Sequence, residues 1–249
     1  MTTPVEEHNI EIGRNMRLWE EKPLLRKVYF DFYRAIARHI SPAQNGLTVE
    51  IGSGTGNIRE VIPECIRTDL FPNPWIDRVE NVYKLSFADL SVAVVILFDV
   101  FHHLRYPGTA LQEVHRVLVP GGRVIIFDPF ISLAGRFIYG LFHHEPIAYS
   151  STIEWLAPPQ WDAAGDTYYA AQGNMTRLFF SNKGRALLLG WRVVVRLPMT
   201  AFSYVASGGY SGPQLYPASF YPLLKRVDKV LDLLPWIFAT RALVVLEKI

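Results

Sequence analysis

The sequence predicts an α/β fold in which a mostly parallel sheet is covered by helices on both faces. Between residues 47 and 129, short apolar runs alternate with segments in which apolar residues recur at helical spacing. The run Val92 to Phe98 is apolar throughout, which is typical of a strand buried on both faces of a parallel sheet. The length of 249 residues suits one substantial domain of this class.

The individual elements follow from periodicity and from the residues that begin and end helices. The predicted strands are 47–51, 65–68, 79–83, 92–98, 123–127, 191–197 and 243–246. The predicted helices are 14–40 divided at Pro23, then 56–61, 107–118, 181–189 and 219–234. Ser181 is predicted to cap the helix at 181–189, Gly190 to end it, and Pro120-Gly121-Gly122 to form a sharp turn.

The alternation of strands and helices is lost from residue 130 to about residue 180. A connection of that length is expected to be a functional insertion or lid. We therefore expect a single domain, 1–249, with an N-terminal helical segment (1–45), a ligand-binding core (46–129), this insertion (130–180) and a C-terminal part of the sheet (181–249).

Composition restricts the partners and the compartment. The formal net charge is +2 without a block of Lys or Arg, so nucleic-acid binding is not suggested. The single cysteine, Cys65, cannot form an internal disulfide, and the N-terminus lacks a signal pattern, so we expect a soluble cytoplasmic protein without a transmembrane segment. The apolar stretch Phe130 to Phe142 favours a buried helix, with contact to a membrane surface as the alternative.

A glycine-rich loop follows the first strand, with the sequence Glu50-Ile51-Gly52-Ser53-Gly54-Thr55-Gly56. Glycine lets the backbone approach a ligand closely, and the strand-end crevice of an open α/β sheet is where ligands bind. A dinucleotide fingerprint needs Gly-x-Gly-x-x-Gly, whereas the third glycine here comes one residue early. The spacing therefore argues against a nicotinamide or flavin cofactor.

Three further features accompany this loop. Asp69 stands 19 residues after Glu50 at the end of the second strand, where a carboxylate can accept both hydroxyls of a ribose or, equally, cap a turn. The fourth strand is followed by Asp99-Val100-Phe101-His102-His103-Leu104. The stretch 111–122, LQEVHRVLVPGG, leads through the fifth strand to Asp128.

With these motifs in this order, residues 47–129 resemble the class I S-adenosylmethionine-dependent methyltransferases, in the broad methyltransferase type 11 group. The resemblance implies a Rossmann-like sheet of seven strands whose last strand is antiparallel, and S-adenosylmethionine as the cofactor. It also implies a set of cofactor-binding residues: Glu50, Gly52, Ser53, Gly54, Gly56, Asp69, Leu70, Asn81, Asp99 and Val100.

The resemblance gives these residues separate roles. Glu50 and the loop backbone surround the methionine end of the cofactor, whereas Asp69 binds the ribose hydroxyls and Leu70 lies against the adenine. Asp99 and Val100 border the methionine moiety, largely through their backbone. Many relatives have Asp where this chain has Asn81, whose amide oxygen can still accept a hydrogen bond from the adenine amino group.

Methyl transfer needs the acceptor atom about 3–3.5 Å from the methyl carbon and in line with the departing sulfur. A hydroxyl or ammonium acceptor also needs a base that removes a proton. His102 and His103 follow the fourth strand and Asp128 ends the fifth, so these three residues are the candidates for catalysis. A structural role at the strand ends is the alternative for each of them.

The insertion adds a second polar cluster, His143-His144-Glu145. Adjacent side chains on a helix point to different sides and no further ligand is evident, so we predict no metal site and expect a solvated surface, with substrate contact as the alternative. Aromatic residues are frequent in the second half of the chain, and some are expected to line a pocket for an aromatic or lipid-like acceptor. The loop 203–217 is a candidate for closing over that pocket.

The sequence thus predicts S-adenosylmethionine-dependent methyl transfer to a small-molecule acceptor, with oxygen slightly preferred over nitrogen or carbon as the accepting atom. Two alternatives stay open. One is a methyltransferase-like binding protein without catalysis, and the other, which the glycine spacing disfavours, is a nicotinamide-dependent oxidoreductase. The sequence indicates neither the identity of the acceptor nor the oligomeric state.

Overall fold

A computed structural model describes residues 4–40, 45–142, 145–165 and 169–249. The strands are β1 (Leu47–Ile51), β2 (Ile66–Asp69), β3 (Arg78–Val79), β4 (Val92–Phe98), β5 (Leu118–Pro129), β6 (Trp191–Met199) and β7 (Arg241–Lys248). The α-helices are α1 (Pro4–Glu21), α2 (Pro23–Ala37), α3 (Pro107–Val117), α4 (Leu133–Phe142), α5 (Asn174–Phe179), α6 (Asn182–Arg185), α7 (Phe202–Ser207), α8 (Tyr221–Leu231) and α9 (Pro235–Phe238). Short 3₁₀ helices lie at Asn57–Glu60, Phe101–His103, Ala163–Gly165 and Ala218–Phe220.

The strands form one sheet of seven in the order β3-β2-β1-β4-β5-β7-β6. Strands β1 to β5 are parallel to one another, whereas β7 is antiparallel to both β5 and β6. The chain order reverses between β1 and β4, so the crevice at the carboxyl ends of these two strands is the expected ligand position. The predicted Rossmann-like, mostly parallel sheet with an antiparallel last strand is confirmed.

The central strand β4 connects two hydrophobic clusters because its side chains alternate between the two faces of the sheet. Val95 and Leu97 belong to the cluster that α3 and α5 cover. Ile96 and Phe98 belong to the opposite cluster, which α2 covers with side chains such as Phe32. All residues of β4 are buried, as its continuous apolar run predicts. The N-terminal helical segment is therefore part of the core of this domain.

Two predicted elements near the glycine loop are shorter than expected. The helix predicted at 56–61 is a single 3₁₀ turn, since Pro63 lacks an amide hydrogen and restricts the residue before it. The third strand, predicted at 79–83, ends at Val79. Just after it, the Asn81 side chain accepts a hydrogen bond from the Tyr83 amide (3.0 Å), which favours a turn over further strand pairing.

Three later predictions also need correction. The helix predicted at 181–189 covers only Asn182–Arg185. The Ser181 hydroxyl does not cap this helix but donates to the Arg177 carbonyl of the preceding helix α5. The residues predicted to form a sharp turn, 120–122, lie inside β5, where the register with β4 shifts. A bulge of this kind accommodates a proline that cannot donate to the ladder. The helix predicted at 219–234 is present as α8 but is shorter at both ends, and a separate short helix, α9, follows from Pro235.

Helix α4 occupies the stretch for which a buried helix was favoured, but only one of its faces is buried. Leu133, Phe137 and Leu141 recur every four residues and are 64%, 61% and 66% exposed. Tyr139 lies on the buried side, where its hydroxyl donates to the Thr240 carbonyl (2.6 Å). The expected burial of this helix therefore holds for the face with Tyr139 and is wrong for the outer face. Within the described ranges, no helix is long and apolar enough to cross a bilayer.

Candidate active site

The glycine loop after β1 is attached to β2 by hydrogen bonds. The Ser53 amide donates to the Thr68 carbonyl (2.8 Å), and the Thr68 amide donates to the Ser53 hydroxyl oxygen (3.1 Å). The Thr68 hydroxyl donates to the Glu50 carbonyl (2.8 Å). Inside the loop, the Gly56 amide donates to the Ser53 carbonyl (2.8 Å). These bonds hold the loop in one shape before any ligand arrives.

The three loop glycines all have a positive φ, at +69° for Gly52, +52° for Gly54 and +66° for Gly56. A Cβ atom at Gly52 would lie 2.5 Å from a methyl carbon of Val100, and one at Gly56 would lie 2.6 Å from the Trp75 carbonyl oxygen. Packing of the protein itself therefore requires glycine at both positions. At Gly54 a Cβ would make only an ordinary contact with the Ile12 side chain, at 3.4 Å.

Glu50 is a buried carboxylate at the carboxyl end of β1, with 3% of its surface exposed. In the part of the chain that the structure describes, its Oε2 atom has no hydrogen-bond partner. Burial raises the pKa of Glu50 to about 8, and a hydrogen bond from Ser53 only partly opposes this rise. A buried acceptor without a partner is unfavourable, so a ligand donor at this point would be stabilised.

Asp69 connects the glycine loop to the end of β2. Its two carboxylate oxygens accept hydrogen bonds from the Gly54 amide (2.8 Å) and from the Leu70 amide (2.7 Å). The Asp69 side chain is nearly buried, whereas Leu70 is 48% exposed. The acidic residue predicted to bind a ribose is therefore adjacent to the glycine loop, as the resemblance implies.

Helix α1 lies over the outside of this loop, which the sequence analysis did not anticipate. The Nε2 atom of His8 is 3.6 Å from Asp69 Oδ1, and the His8 ring is 5.3 Å from the Phe71 ring. Ile12 is the residue that faces Gly54. The N-terminal helix therefore forms one wall of the crevice beside β1 and β2.

The predicted catalytic residues meet on the other side of the crevice, at the ends of β4 and β5. His102 Nδ1 lies 2.9 Å from Asp128 Oδ1, and its Nε2 lies 3.3 Å from Glu145 Oε2. His103 Nδ1 lies 2.9 Å from the Tyr169 carbonyl oxygen, and its Nε2 lies 3.6 Å from Glu145 Oε1. The structure thus joins all three predicted residues to a carboxylate from the insertion.

The charges of this cluster depend on one another. Burial opposes protonation of His102, but the carboxylates of Asp128 and Glu145 outweigh it and raise the pKa of His102 to about 10. Burial and the neighbouring His102 lower the pKa of His103. Burial raises the pKa of Asp128, although the neighbouring His102 acts to lower it. Without another cation, the cluster holds an imidazolium between two carboxylates.

Asp99, directly after β4, has a positive φ of +56°, and its carboxylate forms an ion pair with Arg241. Arg241, on β7, is 3% exposed and lies with its guanidinium carbon 4.7 Å from the centre of the Tyr204 ring. The sequence contained no local signal for this pair because its residues are far apart in the chain.

Comparison with known proteins gives a family for this fold and crevice. Residues 49–126 match the family model described as a methyltransferase domain, of the type 11 group. This match identifies residues 49–126 as a class I S-adenosylmethionine-dependent methyltransferase domain. The predicted family, enzyme class and cofactor are thereby confirmed.

Individual relatives of this methyltransferase are distant or match only in part. It is 47% identical over 45 residues to the uncharacterised protein YafE of Escherichia coli K12, a match that spans 18% of this chain and 22% of YafE. Its fold is similar to that of the protein solved in complex with the Haloferax volcanii Trm112 methyltransferase activator, with a TM-score of 0.55 at 15% identity over 99% of this chain and 97% of that one. Geranyl diphosphate C-methyltransferase of Streptomyces coelicolor, solved with S-adenosylhomocysteine, gives a TM-score of 0.52 at 11% identity over 88% and 76%.

The crevice of this methyltransferase fits S-adenosylmethionine chemically. Among the described residues, Oε2 of Glu50 has no partner and offers an acceptor to an ammonium group, and Gly54 carries no side chain that would keep a ligand from the loop backbone. The carboxylate of Asp69 suits the paired hydroxyls of a ribose. Asn81 fits less well, since its Nδ2 donates to the Ala163 carbonyl (3.1 Å) and its Oδ1 already accepts from Tyr83. Its contact with adenine stays a prediction.

Sequence reasoning missed Arg241 and the α1 wall and misjudged one carboxylate. Glu145 was expected on a solvated surface, but its side chain lies against His102 and His103. The two neighbours with which it was grouped, His143 and His144, lie outside the described residues. A sequence alone offers no signal for Glu145, because its partners are about forty residues away in the chain.

Proposed function

We propose that this methyltransferase methylates an oxygen atom of a small-molecule acceptor with an aromatic or lipid-like body. When bound, S-adenosylmethionine supplies an electrophilic methyl group, and the sulfur keeps the electron pair of the broken carbon–sulfur bond. The protein has to hold the acceptor oxygen in line with that bond, exclude water and deal with the hydroxyl proton.

On the cofactor side, the proposal assigns the residues that the family resemblance implies. Glu50 accepts from the ammonium group, and the backbone of Gly52, Ser53, Gly54 and Gly56 surrounds the same end of the molecule. Asp69 binds the ribose hydroxyls, and Leu70 and Asn81 contact the adenine. Asp99 and Val100 border the methionine moiety. The hydrogen bonds that hold the loop to β2 support this assignment, since they orient it in advance.

On the acceptor side, the proposal assigns His102, His103 and Asp128. The observation that carries it is that Val100 packs against Gly52 of the cofactor loop and that His102 follows Val100 by only two residues in the chain. A hydroxyl acceptor must lose a proton, and imidazoles beside carboxylates can assist that loss. A carbon acceptor would need less help from such a cluster, which is why we prefer oxygen to carbon as the accepting atom.

The insertion, residues 130–180, is proposed to cover the acceptor. It supplies the Glu145 carboxylate and the Tyr169 carbonyl that contact the two histidines. In the same segment, Gln172 donates to Glu145 (2.9 Å). Side chains and backbone of the insertion thus close one side of the histidine cluster. We propose that the insertion, the core and the flanking segments form one domain.

Methyl transfer is tested with S-adenosylmethionine that carries a trideuteromethyl group, using a cell extract and a panel of phenols and long-chain alcohols. We expect labelled methyl ethers, detected by mass spectrometry and stable to mild base. His103→Gln should slow transfer about 10²–10⁴-fold with little change in affinity for S-adenosylhomocysteine. His115→Gln, on the remote helix α3, is the matched control.

The other outcomes separate the alternatives. Cofactor binding without label transfer to any component would contradict the proposal and favour a binding protein without catalysis. Label found in amines or on carbon would refute the preference for oxygen while keeping methyl transfer. Unaltered transfer by His103→Gln would remove that histidine from the acceptor side.

A membrane surface is proposed as a further partner of this protein, and it would suit a lipid-like acceptor. Helix α4 packs against α9, and the outward apolar residues of this region are Leu133, Phe137, Leu141, Val230, Leu233, Leu234, Trp236 and Ile237. Exposed basic residues accompany them, namely Arg136, Arg226 and Lys229. Apolar and aromatic residues flanked by basic ones are typical of surfaces that bind anionic lipid interfaces.

Vesicle flotation tests this contact. We expect the protein to float with vesicles containing phosphatidylglycerol and much less with pure phosphatidylcholine, because the basic residues contribute electrostatically. Replacing Phe137 and Trp236 together by Ser should reduce flotation severalfold. Leu189→Ser is the control, since Leu189 is 86% exposed but lies on a different part of the chain. No flotation with either vesicle would contradict the proposed contact.

A further inference from the structure

The ligand atoms of His102, His103 and Glu145 converge at the acceptor side of the crevice and lie within 4.8 Å of one another. The Nε2 atoms of the two histidines are 3.3 Å and 3.6 Å from different oxygens of the Glu145 carboxylate. Metal–ligand bonds of about 2.0–2.2 Å at angles of about 90–110° place neighbouring ligand atoms about 3.0–3.6 Å apart. The two separations between histidine and carboxylate therefore match neighbouring ligands of one ion, and all three ligand atoms lie close enough together to share it.

The outer partners of both histidines are those that metal-binding imidazoles usually have. His102 Nδ1 lies 2.9 Å from Asp128 Oδ1, and His103 Nδ1 lies 2.9 Å from the Tyr169 carbonyl oxygen. A carbonyl oxygen can only accept, so the Nδ1 atom of His103 carries the hydrogen and the lone pair of the neutral ring is on Nε2. Each imidazole is thus oriented with Nε2 towards Glu145.

The charge of the cluster also favours a cation. With neutral imidazoles, the carboxylates of Asp128 and Glu145 would leave two negative charges in a region where His102 and Asp128 are 4% and 0% exposed. Uncompensated buried charge is unfavourable, and a divalent ion would neutralise it. Nitrogen and oxygen ligands in this combination suit Zn²⁺ or Mn²⁺ better than Mg²⁺ or Ca²⁺.

We propose that His102, His103 and Glu145 bind a divalent transition-metal ion, with Asp128 as the residue that positions His102. The ion would coordinate the hydroxyl oxygen of the acceptor, a role that rests on the proposed function. Coordination lowers the pKa of a bound hydroxyl, so its proton passes to solvent and an oxygen lone pair forms the new bond to the methyl carbon. The sequence predicted no metal site, because the local run His143-His144-Glu145 contains only one of these three ligands.

Metal binding is tested directly on the full chain after treatment with a chelator. We expect Co²⁺ to bind one equivalent with a visible absorption band that Zn²⁺ removes. Glu145→Gln and His103→Ala should each abolish saturable binding, and Asp128→Asn should weaken it about 10–100-fold. His39→Ala, a histidine near the end of α2, is the matched control and should bind Co²⁺ normally.

Two measurements keep this inference separate from the proposed function. Each variant is also titrated with S-adenosylhomocysteine, and an unchanged affinity shows that the fold and the cofactor crevice persist. Absence of saturable Co²⁺, Zn²⁺ or Mn²⁺ binding to the wild-type protein overturns the metal site, even where methyl transfer is observed. Metal binding that survives Glu145→Gln and His103→Ala overturns it as well, because the ion would then lie elsewhere.

Discussion

Glu50→Gln is expected to weaken S-adenosylhomocysteine binding about 10–150-fold, the range that corresponds to losing one charged hydrogen bond of about 1.5–3 kcal/mol. The Glu50 carboxylate is buried at the end of β1, with one oxygen that lacks a partner in the described residues. An amide keeps the shape of the side chain but removes the negative charge that an ammonium group requires. Isothermal calorimetry of both proteins at pH 8 measures the difference.

The same substitution is expected to stabilise the protein without ligand. Burial raises the pKa of Glu50 from 4.5 to about 8, so between these pH values the folded state holds a proton that the unfolded state has lost. The contribution of Glu50 to stability therefore falls as the pH rises through this window. Glu50→Gln removes that dependence, and its advantage in urea denaturation should grow from pH 5 to pH 8.

Cofactor binding should also release a proton from Glu50. Below pH 8 the carboxyl group is mostly protonated in the ligand-free protein, and an ammonium partner favours its ionised form. Calorimetry at pH 7 in buffers of different ionisation enthalpy should show a release approaching one proton, which Glu50→Gln abolishes. Glu64→Gln is the control, because Glu64 is an exposed glutamate just before β2. Equal proton release by wild type and Glu50→Gln would contradict the assignment.

Asp69→Ala is expected to have a comparable or larger effect, with a loss of affinity of about 100-fold or more, because two hydrogen bonds to a charged group disappear together. Its carboxylate also accepts from the amides of Gly54 and Leu70, so the loop itself loosens. Binding of S-adenosylhomocysteine is the measurement, and the exposed Asp89→Ala is the control.

Gly54→Val tests the same proposed contact between the cofactor and the crevice by changing the glycine loop instead of Asp69. A branched side chain at φ +52° would be strained and would enter the space that a ligand needs, so affinity should fall in this variant as well. Gly56→Ala is unsuitable for this purpose, because its Cβ would collide with the Trp75 carbonyl and disturb the fold. Unchanged affinity in both Asp69→Ala and Gly54→Val would refute the proposed crevice.

Local patterns account for the parts of the fold that were predicted correctly. The apolar run of β4 indicates burial on both faces of the sheet, and the glycines after β1 indicate close approach of the backbone. Both features are properties of short segments of sequence. Helix α3 begins at Pro107, as the preference of proline for a first helical turn predicts. The predictions that failed had different local causes: a side-chain hydrogen bond competed with backbone periodicity at the helix predicted for 181–189, and Pro63 limited the helix predicted for 56–61.

The sequence by itself determined the fold class, the family and the order of the candidate site residues along the chain, because strand-end motifs are local and parallel strands place their carboxyl ends at one edge. Only the tertiary structure decided that Glu145 meets His102 and His103, that Arg241 pairs with Asp99, and that α1 covers the glycine loop. These contacts join residues from distant parts of the chain. They depend on how strands, helices and the insertion pack in space, which no local periodicity encodes.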